Sequence, residues 1–315
     1  MSFSPEELEN HCLQILGDRR IKNKIVILCE GEIKDIDGRR SPQAYKRIEQ
    51  LPDANFYKKC VPKSWNDKPR PQFFNCGDRK DVIDTYFNLL KINDLKPDNS
   101  YLNKSKLFAL VDLDIQLHTI DNYDFSDTEE IYYSLYDKNK IIVERINKHR
   151  IWITGLIHKE AYFIAPNIQE VFDCSLLYPQ YKGCCVLLED IYLRICDETT
   201  NDIDLKNHFD RAIKRIDYYQ NINCGDLEKL KHTWNHEFSS SSDEQRKKEL
   251  ILILLTIRKA KKYWHLIEPD STWNNGVERF REQLSLEIGE FYSRQDWNNP
   301  ENHIAFFFKY LYGLV

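Results

Sequence analysis

Short runs of consecutive apolar residues, rich in β-branched side chains, recur in the first half of the chain. They lie at 25–29, 106–111 and 151–156. Unbroken apolar runs of this length are typical of strands that are buried on both faces, as in a parallel sheet. Residues 55–61 are predicted to form a further strand.

Between these runs, apolar residues recur at helical spacing. The pattern predicts helices over 4–16, 41–50, 78–92 and 137–147. The first helix has a serine at its N-cap position, and the second has a proline at its first position. Helices that alternate with strands indicate an α/β layer with a mainly parallel sheet flanked by helices.

Beyond about residue 165, helical patterns dominate. Helices are predicted over 186–197, 203–219, 243–267, 276–293 and 301–312. Ser242 and Gln245 fit a capping box at the start of the third of these. The sequence therefore predicts an α/β domain over 1–170 and a mostly helical domain over 171–315, which could make substrate, dimer or partner contacts.

The composition narrows the class of protein. No run approaches the roughly 18 apolar residues that a membrane span needs, and the start MSFSPEELEN lacks a signal-peptide pattern. A cytoplasmic protein with no membrane contact is expected. The nine cysteines form no C-x-x-C pair, which favours reduced, packed thiols. A net charge of −5 excludes a general basic coat, so any nucleic-acid binding must use local basic patches.

Acidic residues follow two of the predicted strands. Glu30-Gly31 ends the first, and Asp112-Leu113-Asp114 ends the strand from 106. Functional side chains gather past the carboxyl ends of parallel strands. Alternation along an extended chain should point Asp112 and Asp114 to one side, and Gly31 permits a tight turn. Carboxylates brought together there need a cation, and their hard oxygens select Mg²⁺ or Mn²⁺. The alternative is that they are ordinary solvated acids.

These motifs resemble the Toprim domain, which topoisomerases, primases and several nucleases share. The matching segments are IVILCEG at 25–31 and LFALVDLD at 107–114. The segment HKEAYF at 158–163 looks like the Glu-Asn-Tyr-Leu region of OLD-type Toprim nucleases and of small Toprim subunits of anti-phage systems. Glu160 and Tyr162 match that region, whereas Ala161 replaces the usual Asn. The resemblance covers roughly 22–170 and needs an insertion near the proline-rich loop at 62–71.

The resemblance implies a Mg²⁺-dependent site for phosphoryl transfer. Asp112 and Asp114 would hold metal, Glu30 would be a metal ligand or the general acid and base, and Glu160 would serve a second metal. Lys159 would neutralise charge that develops on the phosphate. The expected function is a nuclease that acts on DNA or RNA, as an effector in prokaryotic anti-phage defence. An ATPase partner and a homo-oligomer are compatible with it, and the chain itself has no Gly-x-x-x-x-Gly-Lys-Ser/Thr motif.

Two other functions stay open. A non-catalytic Toprim module could bind a nucleotide or nucleic acid and assemble with a partner. A haloacid-dehalogenase-like phosphatase would use Asp112 as nucleophile, but its motif requires Thr at position 116, where this chain has Gln116. That phosphatase also leaves Glu30-Gly31 unexplained. Topoisomerase or primase activity would require further domains.

Basic and histidine clusters in the second half are weaker candidates. The predicted helix from 243 carries seven basic residues and ends beside Tyr263 and Trp264, so it could grip phosphate or be a core helix with a solvated basic face. Arg211, Lys214 and Arg215 are interpreted as a helix surface. The pair His232 and His236 lacks the order of a zinc hydrolase motif.

Overall fold

The computed structural model describes residues 3–32 and 52–315, and the predicted helix 41–50 lies outside them. The strands in chain order are β1 Val26–Cys29, β2 Gln72–Asn75, β3 Leu107–Leu113, β4 Tyr136–Asp137, β5 Lys140–Ile141, β6 Ile151–Ile157, β7 Gln180–Tyr181, β8 Cys184–Cys185 and β9 Ile267–Glu268. The α-helices are α1 Pro5–Leu16, α2 Pro52–Cys60, α3 Arg79–Leu95, α4 Thr128–Leu135, α5 Lys159–Phe163, α6 Gln169–Cys174, α7 Leu188–Asp197, α8 Ile203–Asn207, α9 Phe209–Lys214, α10 Leu227–Ser240, α11 Glu244–Ile257, α12 Lys261–Trp264, α13 Val277–Tyr292 and α14 His303–Tyr312.

A four-stranded parallel sheet lies at the centre of the first half, in the order β2-β1-β3-β6. Ile27 of β1 lies between Phe73 of β2 and Phe108 of β3. Every residue of the four strands is buried, as the unbroken apolar runs predicted. The α/β class, the parallel sheet flanked by helices and the three strands predicted from 25, 106 and 151 are confirmed. All four carboxyl ends therefore meet at one edge.

The strand predicted at 55–61 is wrong, because these residues belong to helix α2. Ala54, Tyr57 and Cys60 are spaced by three residues and are buried together, which is helical spacing. The second strand of the sheet is instead β2, which the sequence analysis did not predict. Helix α2 packs closely on α13, where a Cβ at Gly289 would lie 3.1 Å from the carbonyl oxygen of Phe56.

The helix predicted at 137–147 is also wrong. Strands β4 and β5 form a hairpin there, and its turn residues Lys138 and Asn139 have φ values of 48° and 58°. Two consecutive residues with positive φ are the mark of a tight hairpin turn. The helix of this region is α4, which starts earlier because the Asp127 side chain accepts hydrogen bonds from the N–H groups of Glu129 and Glu130.

The caps of α1 and α3 show how local sequence sets the helix starts. Ser4 caps α1 in a capping box, and Asp78 does the same for α3 with Asp81. The helices predicted at 4–16 and 78–92 are thereby confirmed. Gly77 precedes the second cap with φ +82°, and a Cβ there would collide with the carboxylate of Asp81.

The second half is mainly helical, as predicted, although several bounds differ. The predicted helix 203–219 is split into α8 and α9, and the one at 243–267 ends at Ile257. Helix α10 was not predicted. Asp243, and not Ser242, caps α11, since its carboxylate accepts hydrogen bonds from the N–H groups of Gln245 and Arg246.

The two halves share buried contacts. In α14, the Phe307 ring lies 4.9 Å from the Trp152 ring of β6, and the His303 ring occupies the space that a Cβ at Gly155 would need. Buried hydrophobic residues from both halves belong to one cluster. The division at residue 170 stays a prediction. Among the residues that the structure describes, no helix is both long and apolar enough to cross a membrane.

Candidate metal centre at the carboxyl edge of the sheet

The carboxyl edge of the sheet collects the acidic residues that the sequence singled out. Glu30 follows β1, Asp112 is the last but one residue of β3, and Asp114 comes directly after that strand. His158 and Lys159 follow β6 at the same edge. The site therefore lies where parallel α/β sheets place ligands.

Glu30 is held against β3 by a side-chain hydrogen bond. Its carboxylate accepts from the backbone N–H of Asp112 at 2.8 Å, beyond the last ladder pair of β1 and β3, Cys29 with Leu110. Burial and the negative charge of Asp112 raise the pKa of Glu30 well above its usual range, although the Asp112 N–H, Arg79 and Lys159 act in the opposite direction. The two acids are thus neighbours, and the nearby donors and cations do not fully offset the cost of charging both.

Asp112 is buried and is held by two donors. One carboxylate oxygen accepts from the Tyr57 hydroxyl at 3.4 Å, and the other accepts from the Lys159 backbone N–H at 3.1 Å. Burial raises the pKa of Asp112, and the charges of His158 and Lys159 offset only part of that effect. The negative charge of Glu160 raises the pKa of Asp112 further.

An irregularity in β6 shapes the backbone opposite Asp112. Val111 pairs with Ile153, but Leu113 pairs with Ile157, so β6 carries extra residues at this point. The Leu113 N–H donates to the Thr154 hydroxyl at 2.8 Å in place of a ladder bond. Such bulges commonly aim a strand end at a functional site.

The turn after β6 is strained at His158, whose φ is +60°. A residue other than glycine adopts this conformation at a cost of about 1–3 kcal/mol, and such residues cluster at functional sites. The His158 N–H donates to the carbonyl of Leu113 at 3.0 Å, which fixes the turn against β3. The strained turn places the Lys159 N–H within hydrogen-bond distance of the Asp112 carboxylate.

Asp114 has a different environment from Glu30 and Asp112. Its carboxylate lies 3.5 Å from Lys259 Nζ, 3.6 Å from His158 Nε2 and 3.9 Å from an Arg79 guanidinium nitrogen. Burial alone would raise its pKa, but the hydrogen bond from His158 and the charges of His158, Lys259 and Arg79 outweigh burial and lower the pKa below the usual range. The negative charge of Asp114 is therefore already balanced by positive groups of the protein itself.

Residues from the helical half hold the loop that follows Asp114. Arg215 donates to the Asp114 carbonyl at 2.7 Å and pairs with Glu129 at 2.6 Å, with no exposed side-chain surface. Arg211 donates to the Ile115 carbonyl at 2.7 Å. The interpretation of Arg215 as a helix surface is thus wrong, because its guanidinium is needed to satisfy buried acceptors.

The metal-ligand set predicted from the sequence is only partly brought together. Within residues 3–32 and 52–315, no group of three or more His, Cys, Asp or Glu side chains is arranged to hold one ion. Glu30 and Asp112 do lie side by side. Since Mg²⁺ keeps several waters and is often held by one or two carboxylates plus substrate phosphate, this pair fits such an ion. The roles predicted for Asp114, Lys159 and Glu160 stay predictions.

Four residues that contact the carboxylates were missed as site residues in the sequence: Tyr57, Arg79, His158 and Lys259. Recognising β2 would have pointed to Arg79, because it follows that strand at the carboxyl edge. His158 lies in the segment that resembles the Toprim nucleases, directly before Lys159. Tyr57 reaches the site from α2 and has no local sequence signal, whereas Lys259 is one of the seven basic residues noted in the predicted helix from 243.

No protein-family model, curated protein or solved structure matches this chain. Its function must therefore be inferred from the residues and from the geometry of the site.

Proposed function

We propose that this protein is a Mg²⁺- or Mn²⁺-dependent nuclease of Toprim type, which hydrolyses phosphodiester bonds in DNA or RNA. The observation that carries the proposal is the pair of half-buried Glu30 and buried Asp112, joined by the 2.8 Å hydrogen bond and both with raised pKa values. Burying two like charges side by side is costly, and a divalent cation relieves that cost.

The charges around the pair suit a phosphodiester. Arg79, His158 and Lys259 surround Asp114 at the same edge, and Lys159 lies at the start of α5. Arg79, His158 and Lys259 share their charge with Asp114, and what remains of it, together with Lys159, would neutralise the phosphate oxygens of a nucleic acid whose scissile bond lies at the carboxylate pair. A bound metal ion would supply charge stabilisation and an activated water.

Each residue of the site has a distinct part in this proposal. Glu30 and Asp112 would hold the ion, and Tyr57 and the Lys159 N–H fix the orientation of the Asp112 carboxylate. Asp114 lies 3.6 Å from the His158 imidazole and orients it, and this imidazole would pass a proton to the leaving oxygen. Glu160 would support a second ion next to Asp112.

The biological setting follows from the Toprim resemblance. Small Toprim proteins of this kind commonly act with an ATPase partner in prokaryotic anti-phage defence, and we propose the same setting here, in the cytoplasm. The 315 residues contain no phosphate-binding loop motif, so these residues do not supply the proposed ATPase activity. A non-catalytic module for nucleotide or nucleic-acid binding is the competing function.

The deciding experiment is cleavage of plasmid DNA, single-stranded DNA, tRNA and bulk RNA with Mg²⁺ or Mn²⁺. Wild type is compared with Glu30→Gln, Asp112→Asn and the exposed control Asp121→Asn. We expect cleavage that falls at least about 100-fold in the first two variants and is unchanged in the control. If wild type binds metal but cuts none of these substrates, even with a candidate ATPase partner added, the nuclease proposal is wrong and the binding module takes its place.

A further inference from the structure

A cavity of about 590 Å³ lies between residues 117–133 of the first half of the chain and residues 206–214 of the second half. One wall is formed by Leu117 and Tyr133, and the other by Lys206, Phe209 and Lys214. Its volume lies in the range of small-molecule binding sites. Nothing in the proposed cleavage chemistry uses these side chains.

The cavity is coupled to the site through the loop after β3. Arg211, which also lines the cavity, donates to the Ile115 carbonyl at 2.7 Å, and Ile115 follows Asp114 directly. A ligand in the cavity therefore lies next to the loop that carries Asp114.

The acidic side chains of the cavity wall are mostly committed to the protein itself. Asp127 caps α4, Glu129 pairs with Arg215 at 2.6 Å, and Glu130 accepts from the Ser126 N–H at 2.7 Å. Asp210 is the remaining exposed acid of the wall. Arg215 neutralises Glu129, and the amino-terminal end of α4 offsets part of the charge of Asp127 and Glu130.

The lysines of the wall are not committed in this way. Lys206 and Lys214 are exposed, and neither makes an ion pair with any residue in 3–32 or 52–315. Two ammonium groups at one opening favour a bound anion. A nucleic-acid strand at the proposed cleavage site would supply a phosphate group.

Aromatic surface lies beside these lysines. Tyr133 is 38% exposed although it is a large ring in a helix, and Phe209 is half-buried. Exposed rings next to lysines are the combination that binds single strands, because bases stack on rings while cations hold the backbone. A base inside a duplex is stacked on its neighbours and is not free to enter such a cavity.

We propose that this cavity binds one nucleotide unit of a single-stranded substrate, with the base against Tyr133 and Phe209 and the phosphate at Lys206 and Lys214. The identity of the ligand as the substrate strand rests on the proposed nuclease function. The cavity then selects unpaired over paired nucleic acid and holds the strand beside the carboxylate pair.

The test measures binding without cleavage. Fluorescence anisotropy with labelled ten-nucleotide DNA and RNA strands, in EDTA, compares wild type with Lys206→Ala/Lys214→Ala, Tyr133→Leu and Tyr133→Phe. The control is Lys22→Ala/Lys96→Ala, which removes the same charge near the opposite, amino-terminal edge of the sheet. Circular dichroism melting checks that each variant is folded.

We expect the cavity lysine pair to weaken binding about tenfold and to lower the salt slope by about 1.4, which corresponds to two phosphate contacts of a single strand. Tyr133→Leu should weaken binding about tenfold without changing the salt slope, and Tyr133→Phe should restore it. The control pair should change affinity less than about twofold. A mononucleotide should displace the labelled strand only at a far higher concentration than an unlabelled strand does, because a mononucleotide makes the contacts of one nucleotide unit only.

The two proposals fail separately. If the cavity variants and the control bind equally, or if a duplex binds as tightly as a single strand, the cavity proposal is wrong even when Glu30 and Asp112 prove essential for cleavage. The cavity proposal would also be wrong if mononucleotides bound tightly while the labelled strands did not bind. If cavity variants weaken strand binding while no substrate is cut, the cavity stands and the nuclease proposal falls.

Discussion

The backbone N–H of Asp112 donates a 2.8 Å hydrogen bond to the carboxylate of Glu30 and joins β1 to β3 past the end of their ladder. The same contact brings two acidic side chains together, of which Asp112 is buried and Glu30 is half-buried. Their raised pKa values show that the pair resists full ionisation when no cation is bound. The contact is therefore a cost to the protein when both acids are charged, and under the proposed function a divalent ion would offset that cost.

The variant Glu30→Gln should separate the cost of the acidic pair from its proposed role in metal binding. Glutamine keeps an acceptor for the Asp112 N–H but removes the charge, so the metal-free variant should melt at a higher temperature than wild type in EDTA at pH 8. Its cleavage activity should be lost. The exposed Glu144→Gln is the matched control and should change neither quantity. An equal or lower melting temperature for Glu30→Gln would show that the acidic pair carries no cost.

Mg²⁺ should stabilise the protein more as the pH rises. The folded-state pKa of Glu30 is raised, so the pair contributes stability at low pH that is lost as the pH rises from about 4.5 through that raised pKa. Metal competes with the proton, and at ten times its dissociation constant it adds about 1.4 kcal/mol. The measurement is the shift in melting temperature with Mg²⁺ between pH 5 and pH 8.5. A shift that is independent of pH, or that survives in Glu30→Gln/Asp112→Asn, would place the metal elsewhere.

Arg215→Ala should be among the most destabilising single changes. It leaves the Glu129 carboxylate and the Asp114 and Thr256 carbonyls without their buried donor, at a cost of about 3–5 kcal/mol in the free energy of unfolding. Arg294→Ala is the matched control, because that guanidinium pairs with Glu290 in an exposed position, where about 0–1 kcal/mol is expected. Urea denaturation measures both. Similar losses in the two variants would contradict the anchoring role of Arg215.

Gly155→Ala should be destabilising because of one neighbour. A Cβ at this position would overlap the His303 ring, so we expect a loss of about 1–3 kcal/mol. In a His303→Ala background the added methyl group has space, and most of that loss should vanish. Gly276→Ala, where a Cβ has open space, should show no such coupling. Additive losses for Gly155→Ala and His303→Ala would mean that the two residues do not meet.

Local patterns predicted the central strands and several helix starts, because burial on both faces and capping are encoded within a few residues. They failed where tertiary context decides. The sequence of β2, Gln-Phe-Phe-Asn, is too short and too polar to stand out, and without it the buried residues of α2 were taken for a strand. The turn at Lys138 and Asn139 has positive φ values without the Asn-Gly or Asp-Gly pair that usually announces one.

The site was predictable to the extent that it lies on strand ends. Glu30 and Asp112 were found because each acid ends an apolar run. The cations around Asp114 could not be found together, since Arg79 and Lys259 are far apart in sequence and meet only through the packing of the helical half on the sheet. The absence of a three-ligand group among the described residues likewise depends on side-chain direction, which no spacing rule gives.

The contact of Gly155 with His303 also sets an order of events during synthesis. Strand β6 leaves the ribosome long before α14, yet the Tyr162 hydroxyl that accepts from the Gly155 N–H lies 3.2 Å from a His303 ring nitrogen. A nascent chain that has not reached residue 303 has the His158 turn held to Leu113 but lacks the His303 contact of the Tyr162 hydroxyl. The hydrogen-bond network around Tyr162, next to the carboxyl edge of the sheet, is therefore completed only once the last helix has been made.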